Sequence, residues 1–295
     1  MDLHFPPSGC YVVAVSGGLD SVSLLDILAK QSNYNLTVAH FDHGMREDSR
    51  LDYLFVKSLA KKYGLRFIGA RAELGKEASE ATARMARYDF LFDAIDKTYA
   101  KGIVTAHHQD DRLETLFINL IRGTGRKGIG SIREQKNIFR PLLNVTRKQL
   151  ESYVLTCGLV WRDDPTNFQD RYLRNRIRHQ LLPKLSLLQR QELVALMDAQ
   201  AEINKQIDDL LKALLNYEDI RRLNKQTLSQ LSYKESREVV ATWLRENNLV
   251  NFDHRTIERL TVAAKTKPAG TKIDVYGTAR VKVEKEFLAL SYQER

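Results

Sequence analysis

Regular alternation between short apolar runs and longer amphipathic segments most constrains the fold of this 295-residue chain. Four β-branched runs have the length and composition of buried strands, at residues 11–15, 36–41, 66–70 and 102–106. Between them, residues 21–30, 49–63 and 80–99 carry apolar side chains at helical spacing. This alternation predicts an α/β fold, a doubly wound parallel sheet with helices on both faces. In such a sheet, ligands bind at the carboxyl ends of the strands.

The pattern changes after Pro183. Long charged helices are predicted over residues 189–215, 232–246 and 254–265, with no strand between them. The chain then predicts a β-hairpin or meander over residues 271–276 and 280–290, with Gly277 at the turn. We therefore expect a catalytic domain over residues 1–185. A second, smaller and mostly helical domain ending in a short β-hairpin should occupy residues 186–295.

The composition is that of a folded globular protein, with 43% hydrophobic and 28% charged residues. No apolar stretch approaches the length of a membrane span, and the first nine residues do not resemble a signal peptide. The two cysteines, Cys10 and Cys157, form no CxxC pair, which is typical of a reducing compartment. These features predict a cytoplasmic protein with no membrane partner.

A net charge of +9 favours a polyanionic partner, although a basic protein of this size can also carry its charge as a solvated face. Basic residues of the second domain are interspersed with Tyr and Phe, which favours contact with an RNA backbone, although no RNP, KH or zinc signature is present. They are Arg221, Arg222, Lys225, Lys265, Lys267, Lys272, Lys282 and Lys285.

A candidate phosphate-binding loop follows the first strand and opens the first helix. It consists of Ser16, Gly17, Gly18, Leu19, Asp20 and Ser21. Adjacent glycines let backbone N–H groups turn toward a ligand, and the helix N-terminus adds partial positive charge. The loop is not a Walker A motif, because no Gly-Lys-Ser/Thr follows. The alternative is a tight turn in which Ser16 or Asp20 caps the helix.

Three carboxylates, Asp110, Asp111 and Glu114, follow the fourth predicted strand. At helical spacing Asp111 and Glu114 share a face and could hold an ammonium group. Alternatively, acidic residues in a first helical turn only complement the helix dipole. Nearby histidines and aspartates could bind a metal or line a nucleotide pocket, and we favour the pocket. They are His40, His43, His107 and His108, with Asp42, Asp110 and Asp111.

Two sets of arginines fall on helix faces, Arg84 with Arg87, and Arg171 with Arg174 and Arg178. Such faces are usually solvated, yet the planar forks of Arg87 and Arg178 also suit a phosphate or a developing negative charge. For the other three arginines, RNA contact and solvation both stay open. Apolar residues Leu173, Ile177 and Leu181 give the second helix its packing side.

Five motifs in order resemble the lysidine synthetases of the PP-loop ATP pyrophosphatase superfamily. The first is the loop SGGLDS at residues 16–21; the second runs from His40 to Arg46 with Ser49 and Asp52; the third contains Glu80, Ala81, Ala83, Arg84, Arg87, Tyr88, Phe90 and Leu91. The fourth spans residues 105–115 and continues to Gly128; the fifth contains residues 140–143, Trp161, Asp163, Asp164, Asn167 and residues 174–178. Met45 stands where the family usually has Leu, a volume-conserving change.

The resemblance implies an enzyme that binds ATP, with Mg²⁺ arriving on the nucleotide, at residues 16–21 and His40. It implies catalytic roles for Asp20, Arg87 and Arg178, and lysine binding by Asp111 and Glu114. The implied reaction attaches AMP to the C2 oxygen of the wobble cytidine in a tRNA(Ile) with a CAU anticodon. The side-chain amine of L-lysine then displaces AMP. Metal ligands stay unassigned, and the oligomeric state stays open, with a homodimer as one option.

Two other functions compete with this interpretation. A PP-loop tRNA thiolase would activate a similar base but should carry a catalytic cysteine pair or an iron–sulfur site, and this chain has no CxxC. A non-catalytic RNA-binding protein would need neither the phosphate-binding loop nor the acidic residues. The presence of both favours the ligase.

Overall fold

A five-stranded parallel sheet organises the first part of the chain, in the order β3-β2-β1-β4-β5. The computed structural model describes residues 1–44, 49–72, 80–130, 132, 137–162, 173–215, 219–249 and 252–292. The strands of this sheet are β1 (Gly9–Ala14), β2 (Tyr34–Asp42), β3 (Arg66–Arg71), β4 (Ile103–Val104) and β5 (Ile138–Phe139). The doubly wound sheet predicted from the sequence is confirmed. β5 was not predicted, and β4 is shorter than expected.

Helices connect and cover these strands. They are α1 (Leu19–Ala29), α2 (Ser49–Lys62), α3 (Glu80–Thr98), α4 (Gln109–Ile121), α5 (Arg126–Ile129), α6 (Arg147–Thr156) and α7 (Leu173–Arg176). The chain continues from α7 into a π-helical turn (Ile177–Leu181) and a 3₁₀ turn (Leu182–Lys184), and then into α8 (Leu187–Leu215). Within the described residues, no helix is long and apolar enough to cross a membrane.

Different helices cover the two faces of the sheet. Side chains alternate between these faces along β1, so neighbouring residues of this strand pack against different helices. Tyr11 and Val13 pack with α1, α2 and α6 in the largest apolar cluster. Val12 packs on the opposite face with Leu91 and Ala94 of α3. Each fully buried aliphatic side chain contributes about 1.5–3 kcal/mol, so both faces stabilise the central strand.

α4 is fixed by a separate apolar cluster. Leu113 and Leu116 pack against Ile177 of the π-helical turn, Leu182 and Met197. Leu173 and Leu181 pack at the edge of the same cluster, so the predicted apolar side of this segment is confirmed. The cluster therefore holds the acidic helix α4 next to Arg174 of α7 and Arg178 of the π-helical turn.

A buried carboxylate ties α1 to its neighbours. Asp26 accepts hydrogen bonds from Tyr63 Oη at 2.6 Å and Tyr153 Oη at 2.5 Å, and Lys30 Nζ lies 2.7 Å from it. Burial and these bonds raise the pKa of Tyr63, and raise that of Tyr153 to about 12. The network thus anchors α1 directly behind the loop that precedes it.

A second, antiparallel sheet belongs to the C-terminal region, in the order β6-β9-β8-β7. Its strands are β6 (Arg222–Asn224), β7 (Lys272–Tyr276), β8 (Ala279–Val283) and β9 (Phe287–Tyr292). The helices are α9 (Lys225–Gln230), α10 (Tyr233–Glu246) and α11 (His254–Thr266). The expectation of no strand among these helices was wrong, because β6 precedes α9.

The β tail is also larger than the short hairpin expected. The single strand expected at residues 280–290 is interrupted by a charged turn, where Glu284 N–H donates to Phe287 O at 2.8 Å. Val281, Val283, Leu288 and Leu290 on one side of the sheet join Trp243 in the core of this region. One face of the sheet therefore forms part of this core.

The chain divides into two compact units at Ala201 and Glu202, further along than the expected boundary between residues 185 and 186. The first part of α8 belongs to unit 1 because Leu193 and Met197 pack in the α4 cluster.

Candidate active site

Two loops meet at the carboxyl edge of the sheet, between β1 and β4. The strand order changes direction there, since β1 pairs with both β2 and β4. Connections from the two strands leave on opposite faces at such a point and open a crevice for a ligand. The loop of residues 16–21 follows β1, and Thr105, His107 and His108 follow β4.

The hydroxyl of Ser21 shapes the loop after β1. Its Oγ accepts from the backbone N–H of Ser16 at 3.2 Å and of Gly17 at 3.1 Å, and donates to Gly18 O at 2.9 Å. Gly17 has φ +96°, a conformation that favours glycine. Gly18 is the N-cap of α1, with no side-chain cap, so the alternative capping role for Ser16 or Asp20 was wrong. The first N–H groups of a helix have no partner within it, so the start of α1 suits an anion.

Asp20 lies between Arg147 and His108. Arg147 Nη1 lies 2.6 Å from both Asp20 carboxylate oxygens, and His108 Nε2 is 3.7 Å from Oδ2. Burial alone would raise the pKa of Asp20, but His108 and Arg147 lower it. Asp20 is therefore an anion held in one orientation at the start of α1.

His108 connects the two loops. It is the N-cap of α4, where its Nδ1 accepts from Asp110 N–H at 3.2 Å, while Asp111 Oδ2 accepts from His108 N–H at 2.9 Å. With Nδ1 accepting, the ring proton is on Nε2, facing Asp20 and Asp111. Burial alone would lower the pKa of His108, but these carboxylates raise it to about 9. Double protonation would break the bond from Asp110 N–H, so this cap opposes the rise in pKa.

Glu114 is the most deeply buried acid of the site, with no exposed side-chain surface. Arg178 binds it through two contacts, Nε to Oε1 at 2.5 Å and Nη2 to Oε2 at 3.1 Å, and Arg174 Nε is 3.3 Å away. Arg178 Nη2 also reaches Asp111 Oδ1 at 3.4 Å. Burial raises the pKa of Glu114, and Asp111 adds to it, while Arg178 opposes the rise. The bidentate geometry fixes the guanidinium plane.

Asp110 lies beside this group. Its Oδ2 is 3.2 Å from Arg190 Nη1, whereas its buried Oδ1 has no hydrogen-bond partner among the described residues. A buried acceptor without a partner is costly and indicates a place for an external donor.

A histidine-rich region borders the crevice. His40 Nδ1 donates to Val15 O at 2.8 Å, and its buried Nε2 has no partner among the described residues. Burial lowers the pKa of His40, and burial with the charge of Arg87 lowers that of His43. Burial lowers the pKa of His107 to about 4, with Arg140, Arg87 and Arg84 acting in the same direction. Arg84 and Arg87 both lie over the ring of Tyr88, at 4.9 and 5.6 Å.

The structure brings most of the predicted site residues together. His108 contacts Asp20 and Asp111, and Arg178 contacts Asp111 and Glu114, so these residues form one chain of contacts. The charge of Arg87 lowers the pKa of His43 and His107. Among the described residues, no group of three or more His, Cys, Asp or Glu could hold a metal ion. Several predicted motif residues lie outside the described residues: Met45, Arg46, Asp163, Asp164, Asn167 and Arg171.

Arg147 and Arg190 are site residues that the sequence did not identify. Arg147 is 127 residues from its partner Asp20, and no spacing rule connects them. Arg162 was also missed, although its N–H donates to Gly17 O at 3.0 Å and its side chain bonds Asp52. Arg174, left open between RNA contact and solvation, contacts Glu114 instead.

A family model described as the PP-loop domain matches residues 4–185. The chain belongs to the PP-loop family. The matched region contains both loops and every contact to Asp20, Asp111 and Glu114 described above. Arg190, which contacts Asp110, lies outside it. The solved U34-tRNA thiolase NcsA from Methanococcus maripaludis shares the fold, with a TM-score of 0.54, 15% identity, and coverage of 65% of this chain and 72% of that chain.

Curated relatives of this PP-loop protein carry the name tRNA(Ile)-lysidine synthase. That of Thermus thermophilus is 41% identical over 62% of this chain and 37% of its own length. Those of Exiguobacterium sibiricum and Actinobacillus pleuropneumoniae are 40% and 33% identical, over 63% and 82% of this chain and 46% and 60% of theirs. The chain therefore matches between about a third and three fifths of the length of these relatives.

Proposed function

We propose that this protein is a tRNA(Ile)-lysidine synthase. It uses ATP to adenylate the C2 oxygen of the wobble cytidine in CAU-anticodon tRNA(Ile), and joins L-lysine through its side-chain amine, releasing AMP and pyrophosphate. The product, lysidine, changes the codon read from AUG to AUA. We place this activity in the cytoplasm.

One observation carries the proposal. Asp20 of the PP-loop and the pair Asp111 and Glu114 belong to a single network, linked by His108 and Arg178. A ligase with two steps needs its activating site and its amine site within reach of the same base. The network supports that arrangement at one edge of the sheet.

The chemistry accounts for the separate parts. Cytosine C2 is a poor electrophile until its oxygen is converted into a good leaving group. The PP-loop and the N-terminus of α1 bind the pyrophosphate portion of ATP, with Mg²⁺ carried on the phosphates. Arg87 stabilises negative charge that develops as pyrophosphate leaves. The target base must be unstacked to be reached, which suits an anticodon loop.

Lysine binding by Asp111 and Glu114 requires sharing these carboxylates with Arg178. The Arg178 side chain is one-third exposed (33%), whereas Glu114 is fully buried. We propose that the phosphates of bound ATP attract the Arg178 fork, which leaves Asp111 free to accept the lysine ammonium. Asp110 Oδ1 supplies a further acceptor. Lysine should then bind more tightly in the presence of ATP.

The test is to incubate the protein with ATP, labelled lysine and total bacterial tRNA. Label should enter a CAU-anticodon tRNA(Ile), with AMP release that depends on tRNA. Mass analysis of the wobble nucleoside separates lysine transfer from sulfur transfer, the thiolase alternative. A non-catalytic RNA-binding protein would bind the tRNA without AMP release or incorporation of label.

A further inference from the structure

We propose that the solvent-facing side of the antiparallel sheet in unit 2 binds the phosphate backbone of RNA. A row of cations carries the contact: Lys272, Lys282 and Arg222, called here the cationic row. The inference rests on the proposed function in taking that RNA to be the substrate tRNA.

Strand register puts the three side chains in line. Lys272 of β7 is paired with Lys282 of β8, Lys282 with Ala289 of β9, and Ala289 with Arg222 of β6. Neighbouring strands are about 4.8 Å apart, so the row spans about 14 Å. Ala289 leaves space between Lys282 and Arg222, because its side chain is a single methyl group.

The row faces away from the core of the unit. Along β8, Val281 and Val283 are buried, while Lys282 between them is exposed. Leu223 and Leu288, in the adjacent register, are likewise buried in the core. Period-two alternation therefore puts Lys272, Lys282 and Arg222 on the opposite face.

Among the described residues of this face, the arginines are paired with acidic side chains and the lysines of the row are not. Arg222 pairs with Glu284 at 2.6 Å, and Arg280 pairs with Asp274 in the next register. Lys272 and Lys282 are cross-strand neighbours on β7 and β8. Within the described residues, neither forms an ion pair. Like charges directly opposite in a sheet destabilise it, so folding alone does not account for this pair.

The chemistry of the row fits a polyanion with regularly spaced charges. Arg222 stacks over Phe287, with 4.3 Å between the guanidinium carbon and the ring centroid. Because Glu284 holds its Nη2, Arg222 offers phosphate oxygens only the rest of its guanidinium edge, and the two lysines carry most of the contact. Lysine ammonium groups bind phosphates as point charges that need no exact orientation. An RNA backbone presents such charges along its whole length.

The experiment measures tRNA(Ile) binding by the full chain between 50 and 200 mM salt. Lys272→Gln with Lys282→Gln should reduce the slope of log affinity against log salt by about 1.4 to 1.8, at about 0.7 to 0.9 per phosphate contact. The loss of affinity over this salt range should then be about seven- to twelvefold smaller than for the wild-type protein. Tm should stay unchanged or rise, because two opposed charges are removed.

The matched control is Lys205→Gln with Lys234→Gln. These exposed lysines lie on α8 and α10 of the same unit, so the net charge changes equally. An unchanged slope in the row variant, or an equal reduction in the control, would overturn the proposal. Row-dependent binding of polyglutamate, with tRNA binding unaffected, would overturn it in favour of an acidic protein partner.

Lysidine formation separates this proposal from the proposed function. If the wild-type protein forms lysidine while the row variant keeps its slope and its KM for tRNA, only the row assignment fails. If binding depends on the row but no lysine is transferred, the ligase assignment fails and the RNA surface stands.

Discussion

In unit 1, Glu114 has no exposed surface and contacts two arginines, whereas in unit 2 Lys272 and Lys282 oppose each other in solvent without an acidic partner among the described residues. Burying a charge is costly, so the charges of unit 1 must be paired and held in one geometry. Charges of unit 2 stay hydrated and are attracted to polyanions over a distance set by salt. The comparison separates two uses of charge: orientation in the PP-loop domain and attraction on the sheet.

The largest expected effect concerns the backbone at the base of the site. Gly17→Val should abolish formation of a tRNA-bound AMP adduct in the absence of lysine, measured with labelled ATP. A side chain at Gly17 requires a strained φ of +96° and meets Phe55 and Val56 at 3.3 Å. Gly64→Val is the matched control, since Gly64 has φ +67° with open space around it. Adduct formation by Gly17→Val would contradict the assigned role of the loop.

The buried acids should give the next largest effect. Asp111→Asn and Glu114→Gln should raise the KM for lysine about ten- to a hundredfold, since a buried charge-assisted hydrogen bond contributes about 1.5–3 kcal/mol. The KM for ATP should stay the same or fall, because Arg178 is released toward the phosphates. Steady-state kinetics with each substrate varied in turn would measure this. Equal losses for ATP would contradict the lysine assignment.

Arg178→Gln should lower the free energy of unfolding by about 3 kcal/mol, because it leaves the buried Glu114 carboxylate without its bidentate partner. This is the low end for breaking a buried pair, because Arg174 Nε stays 3.3 Å from Glu114. The matched control Glu246→Gln disrupts a partly exposed pair with Lys212, at 3.3 Å, and should cost less than about 1 kcal/mol. Similar losses in the two variants would remove the contrast between the units.

The pH dependence of unfolding offers a sharper probe of unit 1. His108 has its pKa raised to about 9 in the folded protein, so its contribution is full below pH 6.5 and is lost as pH rises toward 9. This contribution is at most about 3 kcal/mol, at 1.36 kcal/mol per pH unit. His108→Asn should abolish this pH dependence while keeping a good N-cap. Parallel stability curves for the two proteins between pH 6.5 and 9 would show that the histidine is neutral.

The smallest expected effect lies on the sheet of unit 2. Asp274→Asn removes the exposed partner of Arg280 and should change the free energy of unfolding by less than about 1 kcal/mol. It should nevertheless strengthen tRNA binding at low salt, because the face gains net positive charge. Weaker binding in this variant would show that the charge of the face does not attract RNA.

The sequence predicted strands and helices where the periodic pattern was long. α2, α3 and α10 begin within one residue of the predicted starts, because their apolar spacing is sustained over several turns. β5 and β6, with two and three residues, were missed because an alternating pattern cannot be recognised over so few positions. Tertiary pairing with β4 and β9 makes them strands.

In the candidate site, too, local features could be predicted from the sequence and contacts between distant residues could not. Its loops could be predicted, because a glycine-rich turn and an acidic helix start are local features. Pairs between loops could not, since Arg178 is 64 residues from Glu114 and Arg147 is 127 from Asp20. The sequence suggested Arg178 for phosphate and Glu114 for lysine, and gave no sign that they bind each other.

Two aspartates of α1 contact residues 127 positions further along the chain, which affects the order in which the protein folds during synthesis. Asp20 and Asp26 each obtain one of their partners, Arg147 and Tyr153 respectively, only after about half of the chain has left the ribosome. The central strand β1 likewise waits for β4. Contacts that close such long loops form late. The loop of residues 16–21 is therefore shaped early by its own Ser21, but a nascent chain that stops before α6 lacks Arg147, which orients Asp20.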